Sequence, residues 1–250
     1  MTLPELHLPS VSLPEVIGGW SLQERVDRKY LLPLTAVTNL LHRPAASYAV
    51  LEIDGRRGFG YRTVYFDTPD LSTYRDHAQG VRRRFKVRIR RYTDSNLTRL
   101  EVKSKGIRSR TVKYALDGTD RLDGPAREFV RRCLDTSYGT SFRPDIVGLL
   151  DGGLTMSYHR TTLVSSAGER VTIDTDLKMR NDQVRTLLLP GFALMEVKTA
   201  QSSSNTDRAL LHAGYRPVSF SKYVAGVELT TGHARRHHPR LLRQHFVMDA

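Results

Sequence analysis

Apolar and charged residues alternate along several stretches of this chain. In FKVRIRRY, residues 85–92, Lys86, Arg88 and Arg90 fall on one side of an extended strand and Val87, Ile89 and Arg91 on the other, because side chains two apart share a face. The period-two pattern returns in ERVDRKYLL, TRLEVKSK, RTVKYAL, LTMSYHRTTLVSS, ERVTIDTDLKM and FALMEVKTA, and YRTVYFDT is rich in β-branched and aromatic residues. These give about eight predicted strands. Helices are predicted in PLTAVTNLLHR, with Pro33 in the first turn, and in PDLSTYRDHA, after the turn residues Thr68 and Pro69. GPAREFVRRCLDT and NTDRALLHAGY also read as helices, the latter capped by Asn205 or Thr206 and ended by Gly214, and PRLLRQHF has helical character. Regular βαβ alternation is absent, so an α+β fold with a mainly antiparallel sheet and packed helices is expected. Residues 1–20 read as an extended lead-in broken by prolines, 21–230 as one folded unit, and 231–250 as a basic tail.

The polar sides of the strands are dominated by Arg and Lys. Glu101, Lys103 and Lys105 share one face, as do Arg170, Thr172 and Asp174, and as do Glu196 and Lys198. A sheet with one wet face would mix in more Thr, Ser, Gln and Glu. If the sheet instead closes into a barrel, every strand alternates inward and outward residues, and a wide barrel keeps a polar lumen. Like charges gathered there repel unless a polyanion neutralises them. A closed β-tunnel with a phosphate-binding interior is therefore the expected architecture.

Composition agrees with an anionic partner. The 250 residues are 39% hydrophobic, enough for one sizeable core, and carry a formal charge of +13, with a pI near 10.1. Nucleic acid, a phosphorylated small molecule, polyphosphate or an acidic membrane face would all suit that charge. Specific nucleic-acid binding is not expected, because the basic residues alternate with apolar strand positions instead of lying on a recognition helix or among exposed aromatics. The single cysteine, Cys133, excludes an intramolecular disulfide. No apolar run approaches the ~20 residues of a membrane span, and the Pro-rich N-terminus lacks a signal-peptide pattern, so a cytoplasmic protein is expected.

Eight segments in order carry a resemblance. DRKYLL (27–32), YFDTPDLSTY (65–74), FKVRIRRY (85–92), LEVKSK (100–105), SYHRTTL (157–163), RVTID (170–174), LMEVKT (194–199) and FSKY (220–223) resemble the VTC domain. This is the polyphosphate polymerase domain within the triphosphate tunnel metalloenzymes, also called the CYTH-like superfamily. The resemblance implies an antiparallel β-tunnel that binds ATP or another nucleoside triphosphate, and inorganic polyphosphate, together with Mn²⁺ or Mg²⁺. Carried over by position, it implies phosphate-binding roles for Lys29, Arg88, Arg90, Lys103, Arg160, Arg170, Lys198 and Lys222. Arg88, Arg90, Lys103 and Lys198 are implied as catalytic, and Glu196 as the metal ligand. The hydrolase branch carries an ExExK element at the first strand, whereas the same-face positions before Lys29 are Arg25 and Asp27 here.

Transfer of a phosphoryl group between phosphates needs positioning, charge neutralisation and a bridging metal more than a general base. Arg suits this because its planar fork holds phosphate oxygens bidentately. The expected activity is thus transfer of the γ-phosphate of ATP to a polyphosphate chain. Two alternatives stand beside it: a triphosphate or short-chain polyphosphate hydrolase, in which Asp27, Glu24 or Glu101 would activate water, and a non-catalytic polyphosphate-binding module. Asp174 and Glu101 read as partners that hold Arg and Lys in place. Arg108, Arg110 and Lys113 read as a tunnel mouth or a solvated loop, His159 as pointing away from Arg160, and Trp20 and Tyr30 as packing residues. His233, His237, His238 and His245 read as part of a solvated tail.

Overall fold

Period-two patterning becomes strand wherever it is sustained. The structure, a computed structural model, describes residues 7–19, 26–42, 47–105, 111–232 and 239–248. In chain order its first half contains β1 (Ser10–Val11), α1 (Leu13–Gly19), β2 (Val26–Pro33), α2 (Leu34–Leu41), β3 (Tyr48–Leu51), β4 (Phe59–Asp67), α3 (Ser72–Ala78), β5 (Arg84–Tyr92), β6 (Thr98–Lys105) and β7 (Thr111–Asp117). The second half contains α4 (Gly124–Tyr138), α5 (Ile146–Leu149), β8 (Asp151–Ser165), β9 (Arg170–Arg180), β10 (Arg185–Leu188), β11 (Phe192–Thr199), α6 (Asn205–His212), α7 (Lys222–Thr231), α8 (Pro239–His245) and β12 (Phe246–Met248).

The strands make one 12-stranded sheet. Its main path runs β2, β11, β9, β8, β4, β5, β6, β7, antiparallel at every step. The far end of β9 also pairs with β10, which pairs with β12, and the far end of β8 pairs with β3, against which β1 lies parallel. The fold is α+β and mainly antiparallel, as the patterning predicts. The closed ladder is not present: among the described residues β2 and β7 are edges with no hydrogen bonds to each other. β7 exposes Lys113 and most of its length, the charged, solvated character that keeps an edge from pairing. The inner walls nevertheless face one another, since Lys103 on β6 feels the charges of Asp27 on β2 and Glu196 on β11.

Apolar outer faces bury the helices. Val87, Ile89, Leu100 and Val102 pack under Ala126, Val130, Cys133 and Leu134 of α4, whose start is capped by the Asp123 carboxylate accepting from Ala126 N–H at 3.1 Å. Tyr30, Leu32, Ile173, Met195 and Val197 pack against Val37, Leu40 and Leu41 of α2 and Leu210 of α6. α7 instead enters the inner side, where Tyr223, Val224 and Val227 meet Tyr65, Leu154, Met156, Tyr158, Leu177 and Met179. It plugs one end of the tunnel with an apolar core.

Three local features differ from the sequence reading. Pro33 is the last residue of β2 and the N-cap of α2, so its fixed φ ends the strand as the helix begins. The cap of α6 is Ser204, in a reciprocal box with Asp207, because Ser204 is the residue that keeps extended backbone while its hydroxyl accepts from Asp207 N–H at 2.9 Å. The segment read as an extended lead-in contains α1, which buries Val16.

Candidate functional site

The ladder registers decide which side chains share the lumen. Glu196 on β11 stands opposite Lys29 on one side and Thr172 on the other, and Lys198 stands between Asp27 and Arg170. Arg160 on β8 is opposite Asp174, and Tyr158 is on the same face. Tyr61 lies opposite both Tyr158 and Tyr92, Thr63 opposite Arg90, and Tyr65 opposite Arg88. Glu101 is opposite Arg88, and Lys103 lies between Lys86 and Lys113. Lys222 arrives from the plug as the first residue of α7, behind its Ser221 cap. All eight basic residues implied by the resemblance, and Glu196, therefore lie on inward positions or at the head of the plug.

The carboxylates of this face are occupied by basic neighbours. Arg160 grips Asp174 bidentately at 2.6 and 2.8 Å, and Lys222 bonds the same carboxylate. Glu101 receives Arg88 at 2.5 Å and Lys113 at 2.5 Å, with Arg90 at 3.8 Å. Glu196 receives Lys29 at 3.1 Å and a short contact from Lys198. Burial would raise these acids, but their cationic partners outweigh it: Glu101 falls to about 2 under Arg88, Arg90 and Lys113, and Asp174 to about 2 under Arg160 and Lys222. Glu196 is held well below the ordinary range by Lys198 and Lys29 against the same burial.

The cations are in excess. Burial lowers the Lys198 ammonium to about 8, partly offset by Glu196. Lys103 is also lowered, first by burial, with Arg88 and Lys29 adding to it and Asp27 and Glu196 opposing. Lys86 is lowered further by burial and by Lys103, Arg88 and Lys29. Among the described residues neither Lys86 nor Lys103 has an ion pair; Lys86 donates to Ser221 Oγ at 3.0 Å. Tyrosine faces lie beneath the rest: Arg90 and Arg160 sit 5.3 and 5.2 Å from the Tyr61 ring centre, and Lys222 5.0 Å from that of Tyr158. These rings stabilise the cations without consuming hydrogen-bond donors.

Among the described residues, Arg90 Nε, Thr63 Oγ1 and Thr172 Oγ1 are buried on this face without a hydrogen-bond partner, and Glu101 Oε1 has only its ion-pair contact with Lys113. Buried polar groups are normally satisfied, so these atoms have hydrogen-bonding capacity to offer a polar ligand. No group of three His, Cys, Asp or Glu among the described residues could hold a metal ion. The donors fit a hard cation in one way, with Glu196 as its protein carboxylate and phosphate oxygens and water filling the shell. The orphaned Thr172 hydroxyl directly opposite Glu196 in the ladder is consistent with that fit.

Sequence reasoning missed several members. Lys86 is placed by parity on the face of Arg88 and Arg90 but given no role, and Tyr61, Tyr65 and Tyr158 read only as strand formers. Lys113 lies on the edge strand β7, not in a loop, and joins the lumen network through Glu101 while half exposed. His159 points outward, toward Asp176 at 3.8 Å, and Tyr30 is a core residue whose hydroxyl donates to Asp207 at 2.6 Å. His245 ends α8 and packs edge-on against Phe192, so it is not part of a solvated tail. Trp20, Glu24, Arg25, Arg108, Arg110, His233, His237 and His238 lie outside the described residues.

The comparisons with known proteins agree with this geometry. The VTC domain matches residues 24–124 and 149–231. A comparison with curated proteins finds no match. Among solved structures, a proposed adenylate cyclase from Bacillus halodurans is 13% identical and covers 81% of this chain and 96% of its own, with a TM-score of 0.52. A proposed adenylyl cyclase from Hippeastrum, described as having a dominant triphosphatase activity, is 14% identical and covers 82% and 96%, with a TM-score of 0.44. The Bacillus likeness is one of fold. Because the matched segments take in every strand of the lumen wall and the plug helix, the chain belongs to the VTC domain family.

Proposed function

We propose that the protein is a metal-dependent phosphotransferase that moves the γ-phosphate of ATP onto a growing polyphosphate chain in its tunnel. The observation that carries this reading is the charge arrangement of the lumen. Its inward carboxylates, Glu101, Asp174 and Glu196, are consumed by basic neighbours, while Lys86 and Lys103 have no carboxylate partner among the described residues. Acids held this low are poor bases for extracting a proton from water. A terminal phosphate, already ionised near neutral pH, needs no such base.

In this reading the terminal phosphate oxygen of the chain attacks the γ-phosphorus. A new P–O bond forms as the bond to the bridging oxygen of ADP breaks, and ADP leaves with the electron pair. Arg88 and Arg90 on one wall, and Lys103 and Lys198 on others, stabilise the equatorial oxygens as charge redistributes. Lys29, Arg160, Arg170 and Lys222 hold the flanking phosphates. Glu196 would hold Mn²⁺ or Mg²⁺, which neutralises phosphate charge when bound. Glu101 and Asp174 act as positioning residues for Arg88 and Arg160.

A hydrolase reading rests on Asp27, the exposed carboxylate of β2 beside Lys198. The two are separated by incubating the purified protein with ATP and Mn²⁺ and resolving ADP, free phosphate and polyphosphate. Polyphosphate with ADP, lost in Glu196→Ala, is the expected result. Free phosphate as the main product, abolished by Asp27→Asn, would replace the polymerase with the hydrolase. Intact polyphosphate binding without turnover would leave a binding module. Arg90→Ala should lower turnover about 100-fold or more, the scale of losing one preorganised donor.

A further inference from the structure

The outer wall of the tunnel carries a second concentration of positive charge. At Asp176, whose φ is +51°, β9 has one residue more than β8, and the register shifts between Ser157 and His159. This bulge puts Leu177 and Met179 inside, in the plug core, and turns Lys178 and Arg180 outward. Arg180 then stands directly opposite Arg185 of β10, and Arg62 directly opposite Arg91 of β5. Like charges directly opposite one another destabilise a sheet. Arg62, Lys178, Arg180 and Arg185 are all exposed or nearly so, and their side chains make no hydrogen bond or ion pair with any described residue. In the lumen, by contrast, most cations have carboxylate partners.

These residues line two adjoining depressions, of about 260 and 380 Å³, that share Thr155, Arg180 and Arg185. Lys178, Arg62 and the Ser157 hydroxyl line the larger one. Asp182, in the smaller, is the single carboxylate among the lining residues. The floor is rigid. The turn between β9 and β10 is tied by Asn181 Oδ1, which accepts from Gln183 and Val184 N–H at 3.0 and 2.7 Å, while Asn181 Nδ2 donates to Thr230 O of α7 at 2.9 Å. A solvent-open group of basic side chains without carboxylate partners among the described residues can turn toward phosphate oxygens, and the arginine forks can bind them bidentately.

We propose that this outer wall is a second phosphate site, which takes a segment of inorganic polyphosphate outside the tunnel. It rests on the tunnel reading for its choice of polyanion and not for its charge. No aromatic residue lines either depression, so single-stranded nucleic acid would find no stacking platform there. Exposed Val247 and Met248 on the neighbouring β12 would suit a lipid surface, which makes anionic vesicles the necessary control.

The test is calorimetric titration of tripolyphosphate and of long-chain polyphosphate into the full chain, three variants and the combinations of the Arg185 changes with the tunnel variant. Arg185→Glu sets a carboxylate opposite Arg180, a favourable cross-strand pair, so its melting temperature should not fall. Arg185→Gln removes the charge without reversing it. Arg88→Ala with Lys198→Ala removes the tunnel contribution. In that tunnel variant long-chain polyphosphate should still bind, and adding Arg185→Glu or Arg185→Gln should weaken it about tenfold or more, with steep salt dependence. Unchanged long-chain binding on altering Arg185, in both backgrounds, overturns the inference whatever tripolyphosphate does. Tripolyphosphate binding indifferent to Arg88 and Lys198 overturns the tunnel reading and leaves the outer site standing. Phosphatidylglycerol vesicles or a single-stranded oligonucleotide held through Arg185, with polyphosphate binding indifferent to it, also overturns the inference.

Discussion

Glu101 illustrates how a single residue carries both stability and chemistry. Its side chain is only 2% exposed and accepts ion pairs from Arg88, Arg90 and Lys113. Removing one partner from a buried ionic cluster leaves uncompensated charge, so Glu101→Gln should destabilise the protein by about 3 kcal/mol in denaturant unfolding. Its carboxyl lies at about 2, below the ordinary value of 4.5. A depressed acid contributes stability above its unfolded value and loses that contribution as pH falls toward its folded one. Wild type should therefore lose stability relative to Glu101→Gln between about pH 4.5 and 2, narrowing the gap between them. Cys133 behaves oppositely: burial pushes its thiol up to about 11, so iodoacetamide at neutral pH should modify native protein far more slowly than denatured protein. Much of the residue-scale site was legible from parity alone, which assigned Arg88, Arg90, Lys103, Arg170, Glu196 and Lys198 to polar faces. Lys222 was not, because it heads a helix whose approach to the lumen only tertiary packing determines. Which carboxylate each cation meets was not legible either, since that depends on cross-strand register.

At the scale of elements, long amphipathic strands announced themselves and short or fully buried ones did not. All eight predicted strand segments became strands, whereas β3, β10 and β12 are too short to show a period. The α7 sequence KYVAGVELTT has no polar stripe because Tyr223, Val224, Gly226, Val227 and even Glu228 are buried, and a helix buried on all sides shows no amphipathic signal. The bulge at Asp176 was equally silent. Simple alternation through Asp174 would have turned Lys178 inward, and one extra residue reverses the outcome. The plug depends on a close approach at Gly226, where an added Cβ would lie 2.5 Å from Met156 Cε and 2.7 Å from Leu154 Cδ2. Those are flexible side-chain ends that can yield to alanine. Valine adds two methyl groups where the core is already filled, so Gly226→Val should cost about 1–3 kcal/mol. Its melting temperature should fall by about 2–4 °C per kcal/mol in a chain of this size. Since Lys222 enters the site on the same helix, polyphosphate affinity should fall with it; unchanged affinity would separate the plug from the lumen.

At the scale of the whole molecule, the inner wall gathers more basic side chains than its carboxylates neutralise, and that excess opposes the stability of the ligand-free protein. Lys103 shows the conflict most directly. It sits between Lys86 and Lys113 in the ladder, has no ion pair among the described residues, and has its ammonium lowered first by burial and then by Arg88 and Lys29. A residue kept at such a position despite repulsion contributes where a ligand is bound, not in the free protein. Lys103→Ala should therefore raise the melting temperature of the ligand-free protein, modestly, because solvent reaching Lys103 screens the repulsion. Tripolyphosphate should act in the reverse sense. Ligand at a hundred times its dissociation constant stabilises wild type by about 2.7 kcal/mol, and because the alanine variant binds more weakly, its shift at the same concentration should be smaller. The two melting curves should cross as tripolyphosphate is added: the variant is more stable without ligand, and wild type is more stable near saturation. A Lys103→Ala protein that is less stable at every ligand concentration would mean that Lys103 is a structural residue, and that the lumen's charge excess is not held in place by a phosphate ligand.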